Sequence, residues 1–124
     1  MKNFKFHPEH AWISANGHHG IIGISEYAQQ QLGEIIYVDL PDIDSEIKAG
    51  EPLCALESSK VATDVIAPVS GTVIEVNESL DETPQKINSS PYDEGWLIKI
   101  ILKKQGELDD LMDKAAYEEY IGNI

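Results

Sequence analysis

The chain has 124 residues, and nine basic against twenty-two acidic residues give it a formal net charge of −13. That length supports one core and one domain, residues 1–124, with no room for a separate catalytic domain. The charge disfavours nucleic acid and anionic membranes and suits docking onto basic surfaces of partner proteins.

In chain order, residues 20–24 form the first clear apolar run, bounded by Asn16-Gly17 upstream. Residues 25–32 predict a short helix: Ser25 offers an N-cap, Glu26 lies in the first turn, and Gly33 marks the stop. Residues 34–40 read as a strand, followed by a polar turn region from Pro41 to Gly50. Two further apolar runs, 52–56 and 65–69, flank the polar stretch that contains Lys60, so this lysine is expected at a hairpin tip. Ser70-Gly71 opens another strand, with Gly71 expected to supply backbone freedom for a turn. Residues 96–102 complete the β pattern. Near the end, Leu108, Leu111, Met112 and Ala115 recur at helical spacing and predict a C-terminal helix docked by its apolar stripe. Many short strands with frequent turns imply a mainly β sandwich or barrel. A weak internal repeat points the same way, since residues 33–38 and 71–76 share a Gly-polar-apolar-apolar-x-Val pattern that two related sheets would explain.

Cys54 is the only cysteine, which rules out an intramolecular disulfide framework and fits a reducing compartment. Its apolar strand makes it a buried small hydrophobe rather than a redox thiol. No apolar stretch is long enough for a signal peptide or a membrane span, and a cytoplasmic location is expected. His18-His19 lack partners at metal-ligand spacing and read as loop residues. Gly20-x-x-Gly23 has no phosphate-loop pattern around it. No nucleophile, base and oxyanion set stands out, whereas an amine displayed at a hairpin tip, as Lys60 is, can be acylated by an enzyme and carry a group outward, which is carrier chemistry rather than catalysis.

Lys60 lies within Glu57-Ser58-Ser59-Lys60-Val61, followed by Asp64 and by Pro68-Val69-Ser70-Gly71. This string resembles the lipoyl-attachment motif of the glycine cleavage H proteins. The likeness extends through His10-Ala11-Trp12, Gly23 to Gln29, Leu32 to Pro41, Asn88 to Tyr92 and Gly95-Trp96-Leu97. It implies a flattened barrel-sandwich hybrid with a short internal helix and a C-terminal helix, expected to be a monomer. It also implies lipoate in amide linkage on Lys60, with Glu57 and Gly71 as features read by the lipoate-attaching enzyme. Asp64 would lie near the pocket that shelters the loaded arm.

The function implied is a shuttle. A pyridoxal-phosphate glycine decarboxylase loads the aminomethyl group of glycine onto the lipoyl arm, a tetrahydrofolate-dependent aminomethyltransferase unloads it, and dihydrolipoyl dehydrogenase reoxidises the arm. Three positions depart from the family pattern. Ser59 replaces a valine in the exposed attachment turn. Asp44 replaces a glycine and is among the less costly residues if φ is positive there. Ala11 replaces a glutamate that helps to shield the loaded arm, so Ala11→Glu is expected to slow hydrolytic loss of the cargo. Trp12 reads as a core anchor and His10 as a surface or capping residue. The Ala11 departure leaves room for H-like carriers of lipoate relay or sulfur-compound oxidation, and an unmodified H-like scaffold is a further alternative.

Overall fold

The computed structural model describes residues 4–124. Its strands are β1 (Phe4–Phe6), β2 (Ala11–Asn16), β3 (His19–Ile24), β4 (Ile35–Asp39), β5 (Glu46–Ile47), β6 (Pro52–Ser58), β7 (Ala62–Ile66), β8 (Gly71–Val76) and β9 (Ile98–Leu102). Four helices intervene or follow: α1 (Glu26–Leu32), α2 (Ser79–Glu82), α3 (Lys86–Ser89) and α4 (Lys114–Gly122), with a 3₁₀ helix over Gln105–Asp110. The strands form two open antiparallel sheets, one of six strands in the order β1-β2-β3-β9-β8-β5 and one of three in the order β4-β6-β7. The expected mainly β sandwich is therefore present. The two copies of the sequence repeat fall one in each sheet, as β4 and β8.

The period-2 pattern of the strands directs one face of each sheet inward. Ile13, Ile22, Val73, Ile98 and Ile100 from the larger sheet meet Ile35, Val38, Leu56 and Val65 from the smaller one in a continuous buried cluster. Each large apolar side chain buried here contributes about 1.5–3 kcal/mol relative to its exposed state. Cys54 joins this cluster, and burial, reinforced by the carboxylates of Asp39 and Asp64, pushes its thiol up to about 12. The thiol is thus held protonated and unreactive.

A second cluster of Phe6, Trp12 and Tyr117 packs with Phe4, Tyr92, Met112 and Tyr120. Trp12 is the anchor that its sequence suggested: it is fully buried, and its indole Nε1 donates to the carbonyls of Ile24 (2.9 Å) and Pro91 (3.1 Å).

Local signals set the boundaries of α1 where the sequence placed them. Ser25 Oγ accepts the N–H of Ala28, and Gly33 closes the helix at φ 81°. Asp44 has φ 74°, which meets the condition under which Asp is among the less costly replacements for a glycine. The C-terminal helix, by contrast, is displaced from its expected position. The Glu107 carboxylate holds both the N–H and the hydroxyl of Ser70 (2.8 and 3.0 Å), and Met112 pairs its backbone with Phe6. These long-range bonds interrupt the helical stripe. Residues 105–110 form a 3₁₀ turn instead, and α4 starts beyond Asp113, whose side chain caps it through Ala116 N–H at 2.8 Å. Leu108 and Leu111 still pack on the core, as the stripe implied.

Candidate functional site

Strands β6 and β7 form a hairpin whose tip is Ser59-Lys60-Val61. Ser58, at the end of β6, builds this tip. Its N–H donates to the Val61 carbonyl at 2.8 Å, and its buried Oγ accepts the N–H groups of Lys60 (3.2 Å) and Val61 (3.1 Å). A serine that satisfies two turn amides fixes the backbone while the following side chain projects outward. Lys60 is exposed, and among the described residues it has no ion-pair partner. Ser59 is also exposed, so the missing valine costs no packing, and its N–H donates to the Glu34 carbonyl at 3.0 Å.

That last bond ties the tip to the loop between α1 and β4. Gly33 in this loop sits at φ 81° and ψ −158°, a region that only glycine occupies at low cost. A Cβ there would lie 3.3 Å from Cε of Lys60 and 3.6 Å from its Cδ. The aliphatic stem of the lysine thus runs over the bare backbone of Gly33. Asn88 on α3 fixes this loop from below: its Nδ2 donates to the Gly33 carbonyl (2.8 Å) and to Gln29 Oε1 (2.9 Å), and its Oδ1 accepts the Ile35 N–H (2.9 Å). Sequence reasoning placed Asn88 in a familiar run without giving it a role. Its partners lie too far along the chain for any local pattern to reveal them.

From Leu32, next to Gly33, a groove of about 300 Å³ runs between α1 and β7. Ile24, Ala28, Leu32, Leu56 and Val65 contribute apolar surface to it, and Glu9, His10, Thr63 and Asp64 contribute polar groups. Asp64 is exposed and contributes to the groove lining beyond the hairpin tip. Glu57 is exposed near the tip, paired across the sheet with Tyr37 and Ala62. The structure therefore gathers Lys60, Glu57 and Asp64 around one hairpin. Gly71 is not with them. It lies beyond the far end of β7, itself about 16 Å long at ~3.3 Å per residue, and it is buried. Its φ is not positive, so it supplies no unusual turn conformation. What it supplies is close approach: a Cβ would meet the Ile101 carbonyl oxygen at 2.5 Å.

His10 is half-buried on the groove wall, with bonds beyond those of a simple surface residue: it has φ 77°, and its Nδ1 lies 2.7 Å from the Tyr117 hydroxyl, which lies 2.7 Å from Ser25 Oγ. A hydrogen-bonded series thus joins the groove wall to α4 and to the N-cap of α1. Burial lowers the pKa of His10 against the opposing pull of Glu9 and pushes that of Tyr117 up to about 12, so burial favours the neutral form of each ring.

Ala11 departs furthest from its sequence-based expectation. It is fully buried, opposite Ile24 in the core cluster, so it presents no open place for an acid. Ala11→Glu must push a carboxylate into apolar surroundings or distort the pairing of β2 with β3. It is expected to cost roughly 2–4 kcal/mol in stability at neutral pH, with the deficit shrinking as pH falls and the acid protonates. Chemical denaturation at pH 7.5 and pH 5 measures this. Equal stability of variant and parent at both values would refute the buried placement.

The family model described as "Glycine cleavage H-protein" matches residues 4–124. The glycine cleavage system H protein of Thermotoga maritima is 47% identical over 120 residues, covering 97% of this chain and 97% of that protein. That of Vibrio cholerae is 48% identical over 124 residues, covering 99% and 96%. The crystal structure of a glycine cleavage system H protein from Mycobacterium marinum superposes with a TM-score of 0.86 at 30% identity, covering 99% of this chain and 97% of that one.

Proposed function

The chain belongs to the glycine cleavage H-protein family, a lipoyl carrier component of the glycine cleavage system and not an enzyme, and on that premise we propose that Lys60 is the residue that bears lipoate. The observation that carries this reading is an exposed lysine on a rigid hairpin tip, its stem lying over Gly33 and a groove opening beside it. The residues present fit such a group. The tip gives an attaching enzyme access to Nζ, and the groove offers apolar surface to a flexible apolar arm and a carboxylate to the amine that the loaded arm would carry.

Attachment requires Nζ to lose a proton and attack an activated carboxyl of lipoic acid, an acyl adenylate for example. The new bond is an amide, and the adenylate leaves with the electron pair of the broken acyl–oxygen bond. Lys60 then loses its charge, which makes the chain one unit more negative than −13. When attached, lipoate supplies a dithiolane whose sulfur accepts the aminomethyl group of glycine. The tether keeps that sulfur at high effective concentration near any docked partner. The partners of this reading are the pyridoxal-phosphate decarboxylase, the tetrahydrofolate-dependent aminomethyltransferase, dihydrolipoyl dehydrogenase and the lipoate-attaching enzyme.

On the protein side, Ser58 and Asn88 hold the base of the arm, and Asp64, with Glu57 nearby, sets a negative field around it. Incubation with a lipoate–protein ligase, ATP and lipoate, followed by intact-mass and peptide mapping, tests the assignment. One lipoyl group on Lys60 is expected. No modification, or modification elsewhere, overturns it.

A further inference from the structure

Strand β4 departs from strict alternation. Ile35 and Val38 are buried, while both Ile36 and Tyr37 between them are exposed, at 48% and 56%. A regular strand would turn one of the pair inward. The register of β4 against β6 shifts between Ile35 and Tyr37, and this bulge directs two large apolar side chains outward side by side. β4 is an edge strand, and the carboxylates of Glu34 and Asp39 are exposed at its two ends. Across the sheet, Tyr37 is paired with Glu57, three residues before Lys60. An apolar centre with an acidic rim therefore abuts the hairpin that presents the lysine.

An enzyme that acylates Nζ must bring its own active centre to the base of the arm, whereas one that acts on the far end of a loaded arm need not. A specific interface covers about 800 Å² per partner, far more than a three-residue tip, so the contact must spread onto a neighbouring face. On one side of the tip lies the groove, suited to the arm itself. On the other lie Ile36 and Tyr37.

We propose that the outer face of β4 and β6, centred on Ile36 and Tyr37 and rimmed by Glu34, Asp39 and Glu57, is the surface on which the lipoate-attaching enzyme docks. The complementary surface on that enzyme is an apolar recess ringed by lysine or arginine side chains. The acidic rim steers the encounter and makes it dependent on salt, and the aromatic anchor supplies the affinity. This inference rests on the reading of Lys60 as the lipoyl site.

The test uses the full chain with a lipoate–protein ligase, ATP and lipoate, and follows initial rates by intact mass together with the affinity of the unmodified chain for the ligase. Ile36→Ser/Tyr37→Ser, and Tyr37→Ser alone, are expected to melt like the parent because both side chains are exposed. The double variant is expected to lose about tenfold or more in kcat/KM, carried by KM, with a matching loss in measured affinity. Asp39→Asn is expected to flatten the fall of kcat/KM with ionic strength. If the parent is modified at Lys60 and the double variant shows the parent's KM and affinity, the docking surface is wrong and the lipoyl assignment stands. If the parent takes up no lipoate, the lipoyl assignment itself fails.

Discussion

Lys60→Arg is expected to reduce lipoyl incorporation from one group per chain to none, and carrier activity with it, while stability stays within about 0.5 kcal/mol of the parent. Arginine keeps the positive charge and an aliphatic stem that can lie over Gly33, but its guanidinium does not give up a proton at accessible pH and cannot act as the acyl acceptor. All nine basic residues of the chain are lysines, so the other eight serve as an internal control on selectivity. Several of them are exposed, yet among the described residues no other lysine occupies a hairpin tip built as this one is. Mass spectrometry of the variant after exposure to the ligase decides the matter. A lipoyl group on another lysine would mean that the enzyme reads exposure rather than the Ser58-organised turn.

Gly71→Val carries the second large effect, and here the expected cause has changed with the structure. The β carbon would sit 2.5 Å from a backbone oxygen of Ile101 and 2.9 Å from Cδ1 of Ile100, and β8 is hydrogen-bonded to β9 through this stretch. A side-chain methyl can move aside, but a carbonyl in a sheet ladder cannot do so without breaking the ladder. A loss of roughly 3 kcal/mol is expected, toward the upper end of the range for overpacking, which lowers Tm by about 10 °C for a chain of this size. Lipoylation should fall along with the folded fraction, because Gly71 is buried well away from the tip. Parent-like melting would refute the close-approach argument. A fully folded variant that escapes modification would show that the glycine is read directly.

The features legible in the sequence were those whose causes are local. Ser25 and Gly33 bound α1 because a cap and a stop act within one turn. The lysine hairpin is visible because two apolar runs flank a polar stretch. The C-terminal stripe misled because its periodicity is real, but the bonds from Glu107 to Ser70 and from Met112 to Phe6 override it across the length of the chain. Asn88, whose partners include residues 53 and 55 positions away, has no local signature at all. The outward pair on β4 was hidden for a related reason, since a bulge is a property of two strands in register and an Ile-Ile-Tyr-Val run carries no mark of it. The buried position of Ala11 likewise depends on β3 lying beside it.

The hydroxyl of Tyr117 meets His10 and Ser25 across 107 and 92 residues of sequence. The β3–β9 ladder already joins residues as far apart as His19 and Ile101, and loop-closure cost grows only slowly with span, so once that ladder is in place this junction adds little further closure cost. Interactions that form only after the folding transition state leave the folding rate nearly untouched and govern the rate of unfolding instead. Where the Tyr117 junction closes on that late side of the barrier it acts as a latch on the finished molecule: loosening it shortens the lifetime of the native carrier without slowing its formation.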